Sequence, residues 1–286
     1  MTDNTSDESG RSSLNEVSLT VPTGEAESVL GELLVRFPGG LEERKGPEPG
    51  TITYVLYSTE PIRVPDLPGV HVRRRRVPGV DWTEQARQHF HPLERGSLRI
   101  IAPWMDRRDS ADLVIEPGMA FGTGGHESTR LALGAVAAAV EEMNPDSLLD
   151  VGCGTAILSL AGLRLGVKRA RACDLDPAAA AAARNNAEAN GLMDRLSVDV
   201  GDFMEAEYPP FPLVVANLNA PLITAGAEAL DRFTAAGGML ILSGIYREQM
   251  DRIRDAFGCG WREIARTSEG DWVCLRLCRE DDLLAP

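Results

Sequence analysis

The spacing of apolar and polar positions changes character along the chain, and each change predicts an element. Val17, Leu19 and Val21 alternate with polar residues, the two-residue period of a half-buried strand. Val29, Leu30, Leu33 and Leu34 follow at helical spacing within residues 26–37. A short strand is expected over 41–43, a β-rich strand over 51–57 after the Gly- and Pro-containing turn 46–50, and another over 70–74. This order predicts a small α+β module of ferredoxin-like type over 16–77. Residues 1–15 are polar, Ser-rich and acidic, the composition of a disordered tail. Beyond the module, Trp82, Ala86 and Phe90 recur every four residues between a capping Asp81 and Pro92, which predicts a connector helix within 78–96.

From residue 97 the pattern is that of an α/β domain. Runs at 98–103 and 113–115 read as strands, and 131–140 as a helix. Leu148, Leu149, Asp150 and Val151 suit the end of a buried parallel strand. Gly152 and Gly154 then give a tight turn where a Cβ would stand in the way of a ligand. Ile157, Leu158, Leu160, Ala161 and Leu165 return to helical spacing. A strand, a glycine turn and a helix form the nucleotide-binding opening of a doubly wound sheet. Further strands are expected over 170–173, 196–200, 213–216 and 239–243, with helices over 178–190, 222–233 and 247–257 between them. A terminal hairpin, 261–267 with 272–278, completes a Rossmann-like seven-stranded sheet within 97–286.

The turn argues against a dinucleotide. The G-x-G-x-x-G fingerprint places its third glycine where this chain has Ile157, and a side chain there keeps the helix from the phosphates. Instead an acid, Asp150, lies two residues ahead of the turn, and D-x-G-x-G resembles motif I of class I methyltransferases, which bind S-adenosylmethionine. Asp174, 22 residues after Gly152, ends the next strand, where a carboxylate can accept both ribose hydroxyls. It could instead cap the following helix, but Asp176, immediately before Pro177, suits that role better.

Residues 117–129, P-G-M-A-F-G-T-G-G-H-E-S-T, hold four glycines, an aromatic and a histidine ahead of a helix. Glycines add no packing and cost conformational entropy, so such a loop does not serve the core. The loop resembles the G-x-A-F-G-T-G-T-H-x-T-T segment of ribosomal protein L-eleven methyltransferases, the PrmA family. The D-W-T-E-Q-A-R-Q-H-F-H-P-L connector and V-V-A-N-L-N-A-P-L at 214–222 resemble two further segments of that family, in the same order, over nearly the whole chain. There are departures: Ala156 for a third glycine, Gly125, Glu127 and Ser128 in the loop, and Asn219 for an apolar residue.

The resemblance implies an S-adenosylmethionine-dependent methyltransferase of lysine or N-terminal amines on a ribosomal large-subunit protein. It gives Thr129 a place as helix cap and contact of the donor's methionine part, and Asp150, Gly152, Gly154 and Asp174 places around the donor. Asp202 would meet the adenine amine. Asn217, at the end of a parallel strand, either accepts hydrogen bonds from the amine substrate or is an ordinary strand-ending turn residue. His126 either assists proton removal or orders the loop.

Charge and cysteine content narrow the partners. A net charge of −14 disfavours direct nucleic-acid binding and suits a basic protein substrate, although it also serves solubility alone. The four consecutive arginines at 73–76 either meet an acidic surface or form a solvated edge strand. Five scattered cysteines without paired metal spacing read as reduced thiols in a cytoplasmic protein, and no run suggests a membrane span or signal peptide. Two other functions fit the same residues: a related methyltransferase acting on another protein or a small amine, and a non-catalytic scaffold that keeps the fold.

Overall fold

The computed structural model describes residues 14–26, 29–30, 33, 37, 41–58, 60–64, 69–77, 92–95, 98–116 and 126–280. The chain divides into two compact units, Met1–His89 and Phe90–Pro286. The connector helix and the loop segment 117–125 lie outside the described residues, as does the expected tail as far as residue 13.

In the first unit, strand β1 (Leu14–Pro22) takes in the last two residues expected in the tail. With β2 (Glu42–Lys45), β3 (Thr51–Ser58) and β4 (His71–Val77) it forms an antiparallel sheet in the order β2-β3-β1-β4, the ferredoxin-like order. The two-residue period sends Val17, Leu19 and Val21 to one face, where they pack with Tyr54, Leu56 and the helical residues Ala26, Val29, Leu30 and Leu33. The Tyr54 hydroxyl, fully buried, donates to the Ala26 carbonyl at 3.0 Å. On the other face Arg75 grips the buried Glu16 through two bonds of 2.6 and 2.7 Å, which holds that carboxyl below its ordinary pKa. Among the described residues β4 pairs only with β1, and its four arginines are exposed, as on a solvated edge.

The second unit begins with a three-stranded sheet of β5 (Leu93–Arg95), β6 (Leu98–Ile101) and β7 (Leu113–Val114). Then come α1 (Glu127–Met143), β8 (Ser147–Val151), α2 (Ile157–Leu165), β9 (Arg169–Asp174), α3 (Pro177–Ala189) and β10 (Leu196–Val200). The chain continues through β11 (Phe211–Asn217), α4 (Ala220–Ala225), α5 (Ala227–Phe233), β12 (Thr234–Tyr246), α6 (Met250–Phe257), β13 (Trp261–Glu269) and β14 (Trp272–Arg279). The seven-stranded sheet runs β10-β9-β8-β11-β12-β14-β13. Its first five strands are parallel, while β14 runs antiparallel to β12 and β13 to β14.

The central parallel strands β8, β11 and β12 bury apolar residues on both faces because helices cover both. Leu148, Leu213 and Val215 join one core with α1, α2 and α3, while Leu149, Val151, Val214 and Ala216 join a second with α4, α5 and α6. The expected single helix over 222–233 is broken in two at Gly226. A Cβ there would lie 2.3 Å from the Phe203 ring, so the close approach of that ring demands glycine at the break. The strand expected over 239–243 is the middle of a longer one, β12.

Candidate functional site

The C-terminal ends of β8, β9, β10 and β11 lie side by side, the edge where an open α/β sheet binds ligands. After β8 the chain turns through three left-handed residues: Gly152 (φ +68°), Gly154 (φ +53°) and Ala156 (φ +59°). The first two suit glycine. Ala156 does not, and its buried methyl group carries strain of about 1 kcal/mol that glycine would be spared. At Gly152 the close neighbour is part of the protein. A Cβ would lie 2.3 Å from Leu218 Cδ2, so this glycine makes room for Leu218, which sequence reading had not anticipated.

Asp150 lies beneath the turn. It is 1% exposed, and its Oδ2 accepts both the backbone N–H (3.0 Å) and the hydroxyl (2.8 Å) of Ser159, in the first turn of α2. Burial, reinforced by the charge of Asp174 and opposed by the Ser159 bonds, pushes its pKa up to about 6. Through these bonds Asp150 fastens α2 to β8 and supports the turn from behind.

Asp174 is half-buried at the end of β9, and its two oxygens accept the N–H groups of Gly154 (2.9 Å) and Asp176 (3.0 Å). Asp176 is the helix cap, accepting from the Ala178 N–H at 2.8 Å with Pro177 in the first turn. A carboxylate has about four acceptor positions, so Asp174 keeps capacity for a diol after its two backbone bonds. Asp202, just after β10, caps the short 3-10 turn Phe203–Glu205 through a 2.9 Å bond from the Met204 N–H.

At the end of β11, Asn217 donates from Nδ2 to Thr129 Oγ1 at 3.3 Å. Its Oδ1 is buried and accepts no hydrogen bond among the described residues. An unsatisfied buried carbonyl costs about 1–3 kcal/mol, so it marks a place where a ligand's donor belongs. Thr129 is fully buried in the first turn of α1 and is not the cap. His126 takes that role: its Nδ1 accepts from the Ser128 N–H at 3.2 Å and lies 2.8 Å from Ser128 Oγ. Ser243, a residue that sequence reasoning passed over, donates from its hydroxyl to the Ser128 carbonyl at 2.8 Å and ties α1 to β12.

The His126 ring stands edge-on to Trp272 at 4.6 Å, and Trp272 stacks on Tyr246 at 4.1 Å. Burial lowers the His126 pKa, and Arg130 adds to that while Glu127 opposes it. A neutral imidazole that accepts at Nδ1 carries its proton on Nε2. That arrangement favours the ordering role of His126 over proton removal. Asn219, the departure from the family pattern, caps α4 by accepting from the Leu222 N–H at 3.0 Å, which gives it a local structural reason.

The structure thus joins Gly154 to Asp174 and Thr129 to Asn217, sets Asp202 at the neighbouring strand end, and puts Asp150 underneath. A parallel sheet with a reversed final hairpin, a left-handed turn after its central strand and an acid after the next define the fold of a class I methyltransferase. The model of the ribosomal protein L11 methyltransferase (PrmA) family matches residues 56–280. The ribosomal protein L11 methyltransferase of Thermus thermophilus is 40% identical over 200 residues, covering 68% of this chain and 76% of that protein. Its counterpart in Syntrophotalea carbinolica is 38% identical over 228 residues, 76% of this chain and 73% of the other. The crystal structure of the ribosomal protein L11 methylase from Lactobacillus delbrueckii subsp. bulgaricus is 28% identical with a TM-score of 0.61, covering 67% of this chain and all of that one. The chain belongs to the ribosomal protein L11 methyltransferase family and is a methyltransferase.

Proposed function

We propose that this protein uses S-adenosylmethionine to methylate lysine side-chain and N-terminal amines of ribosomal protein L11, in the cytoplasm. The reading rests on one observation above the others: a buried strand-end carbonyl, Asn217 Oδ1, that accepts no hydrogen bond among the described residues, at the edge where the donor turn ends. Family membership and the substrate in the relatives' names support the choice of acceptor.

When bound, S-adenosylmethionine supplies a methyl carbon already activated by a sulfonium. Asp174 would hold the ribose hydroxyls, Asp202 the adenine amine, and the turn from Gly152 to Gly154 would let the backbone come close. The protein's remaining task is positioning. Asn217 Oδ1 accepts an N–H from the incoming neutral amine, which turns the amine's lone pair away from the carbonyl. Thr129 holds the Asn217 amide in that orientation through the Nδ2 bond.

Titration calorimetry with S-adenosylmethionine tests the cofactor, and labelled donor incubated with a ribosome-depleted lysate plus free L11 tests the acceptor. Heat of binding and a labelled L11 band are expected. Binding with label on a different acceptor would redirect the substrate assignment, and no heat together with no label would leave only a scaffold.

A further inference from the structure

Helix α3 carries Asn186 and, at its C-cap, Asn190, one turn apart and 2% and 9% exposed. Asparagine is a poor helix former, and a buried carboxamide is costly unless both of its ends are bonded. Both ends are bonded in each case, but in different ways. Asn190 pairs with β7 as a strand would, its Oδ1 accepting the Val114 N–H (2.8 Å) and its Nδ2 donating to the Val114 carbonyl (2.6 Å), and Nδ2 also donates to the Asn186 carbonyl one turn back (2.7 Å). Asn186 spans two segments. Its Oδ1 accepts the Glu116 N–H (2.9 Å), immediately before Pro117, and its Nδ2 donates to the Thr155 carbonyl (3.0 Å), between Gly154 and Ala156.

We propose that Asn186 is a positioning residue of the donor site, a carboxamide bracket that fixes the turn after β8 against the residue from which the glycine-rich segment departs. The peptide it holds is the one that needs holding. The Thr155 carbonyl and the Ala156 N–H belong to the same peptide unit; the first accepts from Asn186, and the second donates to the Cys153 carbonyl at 2.7 Å. Ala156 is left-handed, a conformation an alanine abandons unless its neighbours enforce it. Releasing the Thr155 carbonyl lets this peptide rotate, and Gly154, whose N–H aims the Asp174 carboxylate, moves with it. Packing does not replace the bracket. A hollow of about 240 Å³, bordered by Pro103, Val114, Glu116, Thr155, Ala182 and Asn186, opens beside it.

The inference rests on the donor reading above, and the experiment separates the two. Asn186→Asp keeps the acceptor for Glu116 and replaces the donor to Thr155 with an oxygen. Donor affinity, measured by calorimetry, is expected to fall about tenfold, the worth of one buried bond lost. Turnover at saturating donor and the KM for the protein substrate should stay within about twofold. As the pH falls, the introduced carboxyl gains a proton and can donate to Thr155, so the ratio of variant to wild-type affinity should recover.

Asn190→Asp, which breaks the Nδ2 bonds to the Val114 and Asn186 backbone carbonyls and leaves the Asn186 side chain in place, is the control: a comparable loss of melting temperature with donor affinity kept. If Asn186→Asp does not fold, Asn186→Ser, with a donor and acceptor on a shorter arm, is expected to lose donor affinity at least threefold. Donor binding equal to wild type in the folded Asn186 variant, or equal affinity losses in the Asn186 and Asn190 variants, would overturn the bracket. Wild-type protein that binds no donor would overturn the functional reading instead.

Discussion

Two neighbouring strands, β8 and β11, end in opposite ways. Asp150 near the end of β8 is fully enclosed, and its charge is answered within the protein by Ser159. Asn217 at the end of β11 has one of its two polar ends satisfied, while the other, buried, accepts no bond among the described residues. On the function proposed above, the first end is finished before any ligand arrives and the second becomes complete only when the amine binds. The contrast thus sets the groups that would hold the site's shape against the group proposed to do its chemistry, and four substitutions test it.

The largest effect is expected at the open end. Asn217→Ala should lower turnover about 10²- to 10³-fold, the scale for losing one preorganised hydrogen-bonding group at a reacting centre, while donor affinity stays within a fewfold. A methyl-transfer assay paired with calorimetry reads both; turnover near wild type would erase the distinction between the two strands. Asp174→Ala should show the reverse pattern, with donor affinity down roughly 10- to 100-fold as a charged acceptor is lost, and turnover at saturating donor largely kept. Equal binding losses in the two variants would merge the roles assigned to them.

The enclosed end carries a pH signature. Native Asp150 holds its proton more tightly than the unfolded chain does, so its contribution to stability is complete below about pH 4 and is lost as the pH rises through about 6. Asp150→Asn has no such titration. The stability of the wild type relative to this variant should therefore fall by roughly 3 kcal/mol between pH 4 and pH 7. Denaturant unfolding at four pH values measures this, and a constant difference would mean that the carboxyl is not shielded as described. The smallest effect is at the turn between the strands: Ala156→Gly should raise stability by about 1 kcal/mol, read as a higher unfolding midpoint.

The sheet was legible because its central strands bury apolar side chains on both faces and several of its helices are bounded by glycine and proline. The acids after the strands were legible as a set but not by role. Strand alternation puts Asp150 on the same face as Leu148, toward α2, so a signal existed that it looks inward. The cap exchange between Thr129 and His126 was hidden because threonine is much the commoner cap. Leu218 lying over Gly152, and Phe203 packed against Gly226, are contacts across 66 and 23 residues of chain, and no local pattern announces them.

The exposed outer strand of the small sheet has a consequence for how molecules meet one another. An unpaired β-edge offers its backbone to any other edge, and a second copy of the same strand would be the natural match. Here that match would set Arg73, Arg74 and Arg76 of each β4, the arginines not held by Glu16, beside those of the other copy. Such like-charge crowding works against edge-to-edge growth of the sheet, and it weakens as added salt screens it.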